Sequence, residues 1–328
     1  MTTPSPRPLR LSILDQSPVG QGATPADALA ASVALARQAD RLGFLRYWAA
    51  EHHNSSGFAG TAPEVLVATL LARTAHLRIG SGGVLLPRYE SAKVAEVFQV
   101  LSALHPGRVD LGVGRAGGPA RQYPEQVAEL ADRLAAHSPE APQPTLWLLG
   151  SSGGSATLAA TVGASYSFAH FFNPDLGVAA LKTFRTHPTA SQTTDPRTRS
   201  SLAVRVLVAE TAVQAADLAL AFLLWRSRKD LGIDEPFPSP DTARAHRWSA
   251  AEERRAAADS PTIVTGAPEQ VQAELASLAA EHDVDELIIN TPTHDPADRL
   301  TAYRLLAELF PDGLAQQQPL ASASAAVH

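Results

Sequence analysis

Four short stretches of this 328-residue chain combine residue types that could do chemistry. The first is Glu51-His52-His53, at the end of the apolar run FLRYWAA. Consecutive strand residues point to opposite faces, so the two imidazoles cannot easily grip one metal ion, and no HExxH or comparable spacing supplies further ligands. What remains is proton handling by one ring turned toward a site, or a histidine satisfied by its neighbours. The second stretch is Gly82-Gly83 inside LRIGSGGVLLP. Glycine weakens a strand interior, so the pair marks either tight packing or a place where a flat ring can lie directly on backbone.

The third stretch, Gly112 to Gly117, spells GxGxxG after a strand. A dinucleotide fingerprint belongs on a first strand and runs straight into a helix. Here Gly118-Pro119 and Pro124 delay the helix and the strand is the fourth, so the match is coincidental. Arg115, at that strand's C-terminal end, is nonetheless placed to meet an anion. The fourth stretch is Gly150-Ser151-Ser152-Gly153-Gly154-Ser155, which joins a strand to a helix beginning near Ser155. Backbone amides, hydroxyls and the positive end of a helix dipole converge there, which suits a mono-phosphate. The plainer alternative is that these residues only cap the helix.

Composition narrows the cofactor question. With no cysteine and a single methionine, disulfides, thiolate nucleophiles, cysteine-ligated zinc and iron–sulfur clusters are excluded together, and any redox chemistry has to come from a bound cofactor. The 27 Lys+Arg against 33 Asp+Glu give a formal charge of −6. The densest basic cluster (Arg226, Arg228, Lys229) is followed at once by Asp230, Asp234 and Glu235. Nucleic acid and anionic membrane are therefore poor partners. The N-terminus MTTPSPRPLRLSILDQ has no signal-peptide core, and no apolar run reaches the ~18 residues of a membrane span; the expectation is a soluble, cytoplasmic protein.

The elements that must position these residues follow a simple order. Leu9 to Leu14 reads as a strand, and PADALAASVALARQADRLG as a helix ending at Gly43. FLRYWAAEHH, LRIGSGGVLLP, RVDLGVG, TLWLLG, SYSFAHFF, LAVRVLVAE and VDELIINTP are further strands, each followed by a helical pattern. Eight such units favour a closed α/β barrel, a single (β/α)8 TIM barrel, over an open sheet. The chemistry then belongs on the loops after the strands. Residues 226–261, rich in charge and proline, read as an excursion near the barrel mouth before the last unit. The expected organisation is a barrel over 1–314 and a flexible, low-complexity tail over 315–328.

LDQSPV, YWAAEHHN, IGSGGVLLPRYESAKVAE, HPGRVDLGVGRAGG, LWLLGSS and FAHFFNP together resemble the bacterial-luciferase-like flavin monooxygenases over nearly the whole chain. The likeness is greatest to the single-chain group 1 luciferase-family oxidoreductases, some of which tailor aromatic polyketides in antibiotic biosynthesis. The resemblance implies a (β/α)8 barrel that binds reduced FMN at its mouth, forms a flavin hydroperoxide with dioxygen, and hydroxylates or epoxidises a small organic substrate. It implies a homodimer and a separate flavin reductase, since no NAD(P)H fingerprint survives inspection.

Carried over residue by residue, His52 matches the catalytic histidine of luciferase, and Glu51 and His53 complete the family's EHH. A non-proline cis peptide beneath the flavin ring falls at Gly82-Gly83. The phosphate-site arginine falls on Arg115, and the phosphate loop on Gly150 and Ser151 to Ser155, including Ser152, Gly153 and Gly154. Trp48, Phe58, Phe171 and Phe172 are expected to form an apolar wall for the substrate. No metal is implied. Two departures stand out: the chain is shorter than the subgroup pattern between Arg121 and Thr145, and Gly150 replaces a carboxylate of luciferase. The competing expectations are a deazaflavin-dependent oxidoreductase that transfers hydride, and a flavin-binding barrel without turnover.

Overall fold

The computed structural model describes residues 8–115, 121–136, 141–189 and 200–315. Gly117, Gly118 and Pro119 of the glycine-rich stretch, and all of the expected tail except Ala315, lie outside the described residues.

Eight parallel strands close into a ring: β1 (Arg10–Asp15), β2 (Arg46–Ala49), β3 (Arg78–Leu85), β4 (Val109–Gly114), β5 (Thr145–Gly150), β6 (Ser165–Ala169), β7 (Ser200–Val208) and β9 (Glu286–Asn290). β7 pairs with β9 and β9 with β1, which completes the closure. The fold is the (β/α)8 barrel expected from the repeat. One strand was not foreseen. β8 (Ile263–Gly266) pairs only with β7, from Arg205↔Ile263 to Val208↔Gly266, and stands outside the ring. Its four residues carry no alternation by which sequence could announce them.

The helices between strands carry clear start and stop chemistry. Thr24 and Asp27 form a capping box at the head of α1 (Pro25–Leu42), which ends on Gly43 at φ 84°. α2 (Pro63–Leu71), α3 (Ser91–Leu104), α4 (Tyr123–Ala135), α5 (Gly153–Thr161) and α6 (Gly177–Thr186) follow β2 to β6. After β7 comes α7 (Ala212–Asp230), opened by a Thr211–Gln214 capping box. It runs past Trp225, where the apolar pattern stops, so the cluster Arg226, Arg228 and Lys229 occupies its end. Cations are stabilised there by the helix dipole. The 226–261 segment thus contains the end of α7 together with α8 (Pro240–Ala245) and α9 (Ala250–Asp259). It is tied to the loops after β1 and β2: Ser56 N–H donates to both Asp234 oxygens (3.0 and 2.8 Å), and Gln21 N–H to the Phe237 carbonyl (2.8 Å). α10 (Pro268–His282) and α11 (Pro296–Leu309) complete the outer layer. No helix among the described residues is long and apolar enough to cross a membrane.

Strand alternation sorts side chains between two cores. Ile13, Tyr47 and Ala49 face the helices, while Leu14, Trp48, Trp147, Ala203 and Ile288 fill the barrel interior. Beneath them Arg46 lies 2.6 Å from both Asp110 and Glu286, Ser12 donates to Glu286 at 2.6 Å, and Arg78 donates to Asp110. The Arg46 guanidinium also covers the Trp147 ring at 4.6 Å. This paired layer plugs the N-terminal end, so the opposite end is where a ligand can enter.

Candidate functional site

The floor of the mouth is bare backbone. The Gly82–Gly83 bond is a non-proline cis peptide, and both residues are partly exposed. A Cβ on Gly82 would come within 2.7 Å of Trp48 Cβ and 2.8 Å of Leu14 Cδ1, and one on Gly83 within 2.8 Å of the Gly112 carbonyl oxygen. Packing from below therefore requires glycine here, and the same absence of side chains leaves a flat surface above.

Glu51, His52 and His53 diverge. The Glu51 carboxylate is buried and accepts from the Leu85 amide (2.9 Å) and the Tyr89 hydroxyl (2.7 Å), with His53 Nε2 at 2.5 Å. It thereby ties the end of β2 to the chain that continues from the glycine pair. His52 turns elsewhere: its Nε2 is 2.9 Å from Gln16 Nε2, and its ring stacks on Phe58 with centroids 4.2 Å apart. Burial, then the charge of Lys229, then His53, push His52 down to about 4, so the ring is neutral at pH 7. With the Gln16 amide donating, Nε2 is the acceptor and the proton resides on Nδ1. Lys229 sits 4.8 Å from the Phe58 ring centroid and donates to Ser55 Oγ at 3.1 Å.

On the far side of the glycines, β4 and β5 are hydrogen-bonded neighbours, so Arg115 and the Gly150–Ser155 loop leave the barrel side by side. Ser152 caps α5, its hydroxyl accepting from Ser155 N–H, while Ser155 Oγ donates to the Ser152 carbonyl at 2.7 Å. Tyr166 OH reaches that carbonyl too, at 3.1 Å. The capping reading therefore accounts for Ser152 and Ser155. It does not account for Gly153 and Gly154, which are exposed with open space around their Cα atoms. Their amides belong to the first turn of α5, where no intrahelical acceptor exists. A Cβ on Gly150 would collide with Ser155 Oγ, so the glycine standing where luciferase has a carboxylate is required by the serine beside it.

The first part of the chain, residues 9–136, matches the family model of luciferase-like monooxygenases. The chain is 36% identical over 332 residues to the N-acetyl-S-alkylcysteine monooxygenase of Bacillus subtilis (strain 168), covering 92% of this chain and 98% of that protein. It is 32% identical over 325 residues to a luciferase-like monooxygenase of Escherichia coli (strain K12), covering 92% and 97%. This chain belongs to the luciferase-like monooxygenases. Among solved structures of similar shape is apo-MsnO8, with 35% identity, a TM-score of 0.82, and coverage of 94% of this chain and 100% of that one.

Not all residues singled out in this luciferase-like monooxygenase's sequence meet at one place. The glycine pair, His52, Arg115 and the serine–glycine loop share the C-terminal end of β2 to β5. Trp48 is 1% exposed and lies under Gly82, donating from Nε1 to Asp110 (3.1 Å), so it belongs to the barrel interior. Phe58 is buried against His52, Trp225 and Phe237. Phe171 and Phe172 meet edge to face at 4.8 Å on the β6 side, and Phe172 is 60% exposed. The four aromatics thus form a floor, one flank and a rim instead of a single wall.

Sequence reasoning missed Gln16, Asn173, Lys229 and Arg205. Gln16 and Asn173 sit in quoted motifs, LDQSPV and FAHFFNP. Asn173 donates to both the carbonyl (3.1 Å) and Oγ (3.0 Å) of Ser151, and a polar side chain just after a barrel strand was the available signal. Lys229 falls in the stretch read from sequence as an excursion near the barrel mouth, with no role assigned to it.

Proposed function

We propose that this luciferase-like monooxygenase uses reduced FMN, delivered by a separate flavin reductase, and dioxygen to hydroxylate or epoxidise a small organic substrate. The observation that carries the reading is the bare Gly82–Gly83 surface, flanked on one side by the neutral His52 and on the other by Arg115 and the open amides of Gly153 and Gly154. A flat ring fits the first element and a phosphate fits the last. Bound reduced FMN would supply the electrons that put one oxygen atom of O2 into the substrate and release the other as water.

Each residue has a part in this reading. Arg115 and the α5 amides hold the phosphate, and Asn173 fixes Ser151 at the loop's edge. Glu51 positions the segment after the glycines through the Leu85 amide and Tyr89, and His53 supports Glu51. His52, neutral and with Nε2 held by Gln16, controls a proton from Nδ1. Phe58, Phe171 and Phe172 exclude water from the substrate's apolar part, with Trp48 beneath them. Family likeness supports a homodimer in the cytoplasm, and an aromatic polyketide is one substrate class it suggests.

The barrel is shared with a monooxygenase constituent solved with FMN and with an F420-dependent alcohol dehydrogenase, both of low identity, so fold alone admits deazaflavin hydride transfer as a second reading. Anaerobic equilibrium titration with reduced FMN and with reduced F420 separates them. Saturable binding of FMN with no competition by F420 is expected; tight F420 binding with none of FMN overturns the assignment.

A further inference from the structure

Three arginines among the described residues are buried: Arg46, Arg205 and Arg299. Two are paired. Arg46 lies between Asp110 and Glu286, and Arg299 is 2.9 Å from Asp15. Arg205, 7% exposed, has no carboxylate within ion-pair distance among the described residues; its polar contact there is a long one, Nε to Asn290 Oδ1 at 3.4 Å. The guanidinium is instead held between two rings, Phe171 at 4.8 Å and Phe222 at 4.4 Å. Burying a cation without a counter-charge is costly and rare outside sites that use the charge.

The position of Arg205 says what the charge faces. Arg205 shares a face of β7 with Ala203, which packs with Leu14, Trp48 and Trp147 in the barrel. Arg205 stands one step above that layer, paired in register with Asn290, whose Nδ2 holds the Leu14 carbonyl. Phe171 packs against the same interior layer that supports Gly82. On the other side, Phe222 leads through Trp225 to Phe58, which stacks on His52. The guanidinium is thus embedded in the aromatic lining that joins the glycine floor to His52, two strands round the ring from the phosphate-type loop on β5.

We propose that Arg205 is the anchor for a carboxylate on the oxygenated substrate, which makes the substrate class an organic acid whose apolar part lies along Phe171 toward His52. The planar fork of two N–H groups beyond Nε suits a carboxylate, and the flanking rings fix its plane. Burial and the like charge of Arg226 press Arg205 down to about 9, in keeping with a cation lacking a counter-charge. Asp259, which acts in the opposite sense, is 3.6 Å from Arg226. The inference rests on the barrel mouth being the substrate site.

The test uses FMN-loaded full-length protein and a panel of acid–amide pairs, for example N-acetyl-S-benzylcysteine and aryl-alkanoic acids, each against its primary amide. Calorimetry on the wild type should show at least one acid bound at least about tenfold more tightly than its amide. Arg205→Met should abolish that preference, and Arg205→Lys should keep part of it, with FMN affinity unchanged within about threefold. In apo protein, Arg205→Met should melt at the same temperature as wild type or higher, because an unpaired buried charge has been removed. The proposal is overturned if no acid is preferred by the wild type, if Arg205→Met keeps the preference, if the variants lose FMN affinity while the acid–amide ratio stays, or if both variants melt lower than wild type. Binding is read without turnover, so failure here is distinct from failure to oxygenate.

Discussion

Gln16 and His52 meet through their side-chain nitrogens at 2.9 Å, between the neighbouring ends of β1 and β2 at the mouth of the barrel. The contact requires the imidazole nitrogen to accept, so Gln16 selects the neutral ring and its tautomer. Gln16→Glu reverses the preference by placing an anion at the same distance. We expect the His52 titration, followed by NMR, to rise from about 4 by more than one unit, and the acid limb of the activity profile to move with it.

Lys229 acts on the same ring through charge. Lys229→Met removes a cation that depresses His52 and leaves the stem that covers Phe58 and Trp225. His52 should titrate higher than in wild type, though still below 6.5, since burial is the larger cause. A titration indistinguishable from wild type would show that Lys229 serves only Ser55 and the two rings.

The depressed His52 also makes stability depend on pH. The folded state resists protonation that the unfolded chain accepts, so stability is intact above about 6.5 and is lost as pH falls toward 4. The shift corresponds to roughly 3 kcal/mol across that window. Urea unfolding at several pH values should show this slope in wild type and a shallower one in His52→Phe.

Glu51 offers a different kind of test because its partners include a backbone amide and a hydroxyl group besides His53. Glu51→Ala strands the Leu85 amide and the Tyr89 hydroxyl, which should cost about 2–4 kcal/mol in denaturant unfolding. Burial and the Glu51 contact push Tyr89 up to about 12; the substitution should lower its titration, read by ultraviolet absorbance.

The serine–glycine loop separates fold from ligand. Gly153→Asp meets open space and puts an anion at a helix N-terminus, where it should leave stability unchanged or raise it by up to about 1 kcal/mol. The same anion should weaken FMN binding at least about tenfold by repelling the phosphate. Unchanged FMN affinity would return the loop to capping alone.

The barrel was legible because its repeat is long and regular, and periodicity survives local exceptions. The glycine pair and the serine–glycine loop were legible because few structures need those residues there. What sequence could not supply was pairing at a distance. Asp15 looked like a strand end, yet it anchors Arg299 from 284 positions away. Arg205 looked like one charge in an apolar strand, and only the closed ring reveals that no carboxylate among the described residues answers it. Trp48 seemed to face a substrate because strand ends line barrel mouths, but it stands two residues too early and falls in the interior layer. β8 was hidden by brevity.

The most direct test is oxygen transfer itself. Purified protein with FMN, a flavin reductase, NADH and the acids that bind should be turned over under 18O2, and the products weighed. The account predicts a product heavier by one 18O atom, formed only when reduced FMN is present. A product lacking label, or one formed by hydride transfer without oxygen uptake, would contradict it.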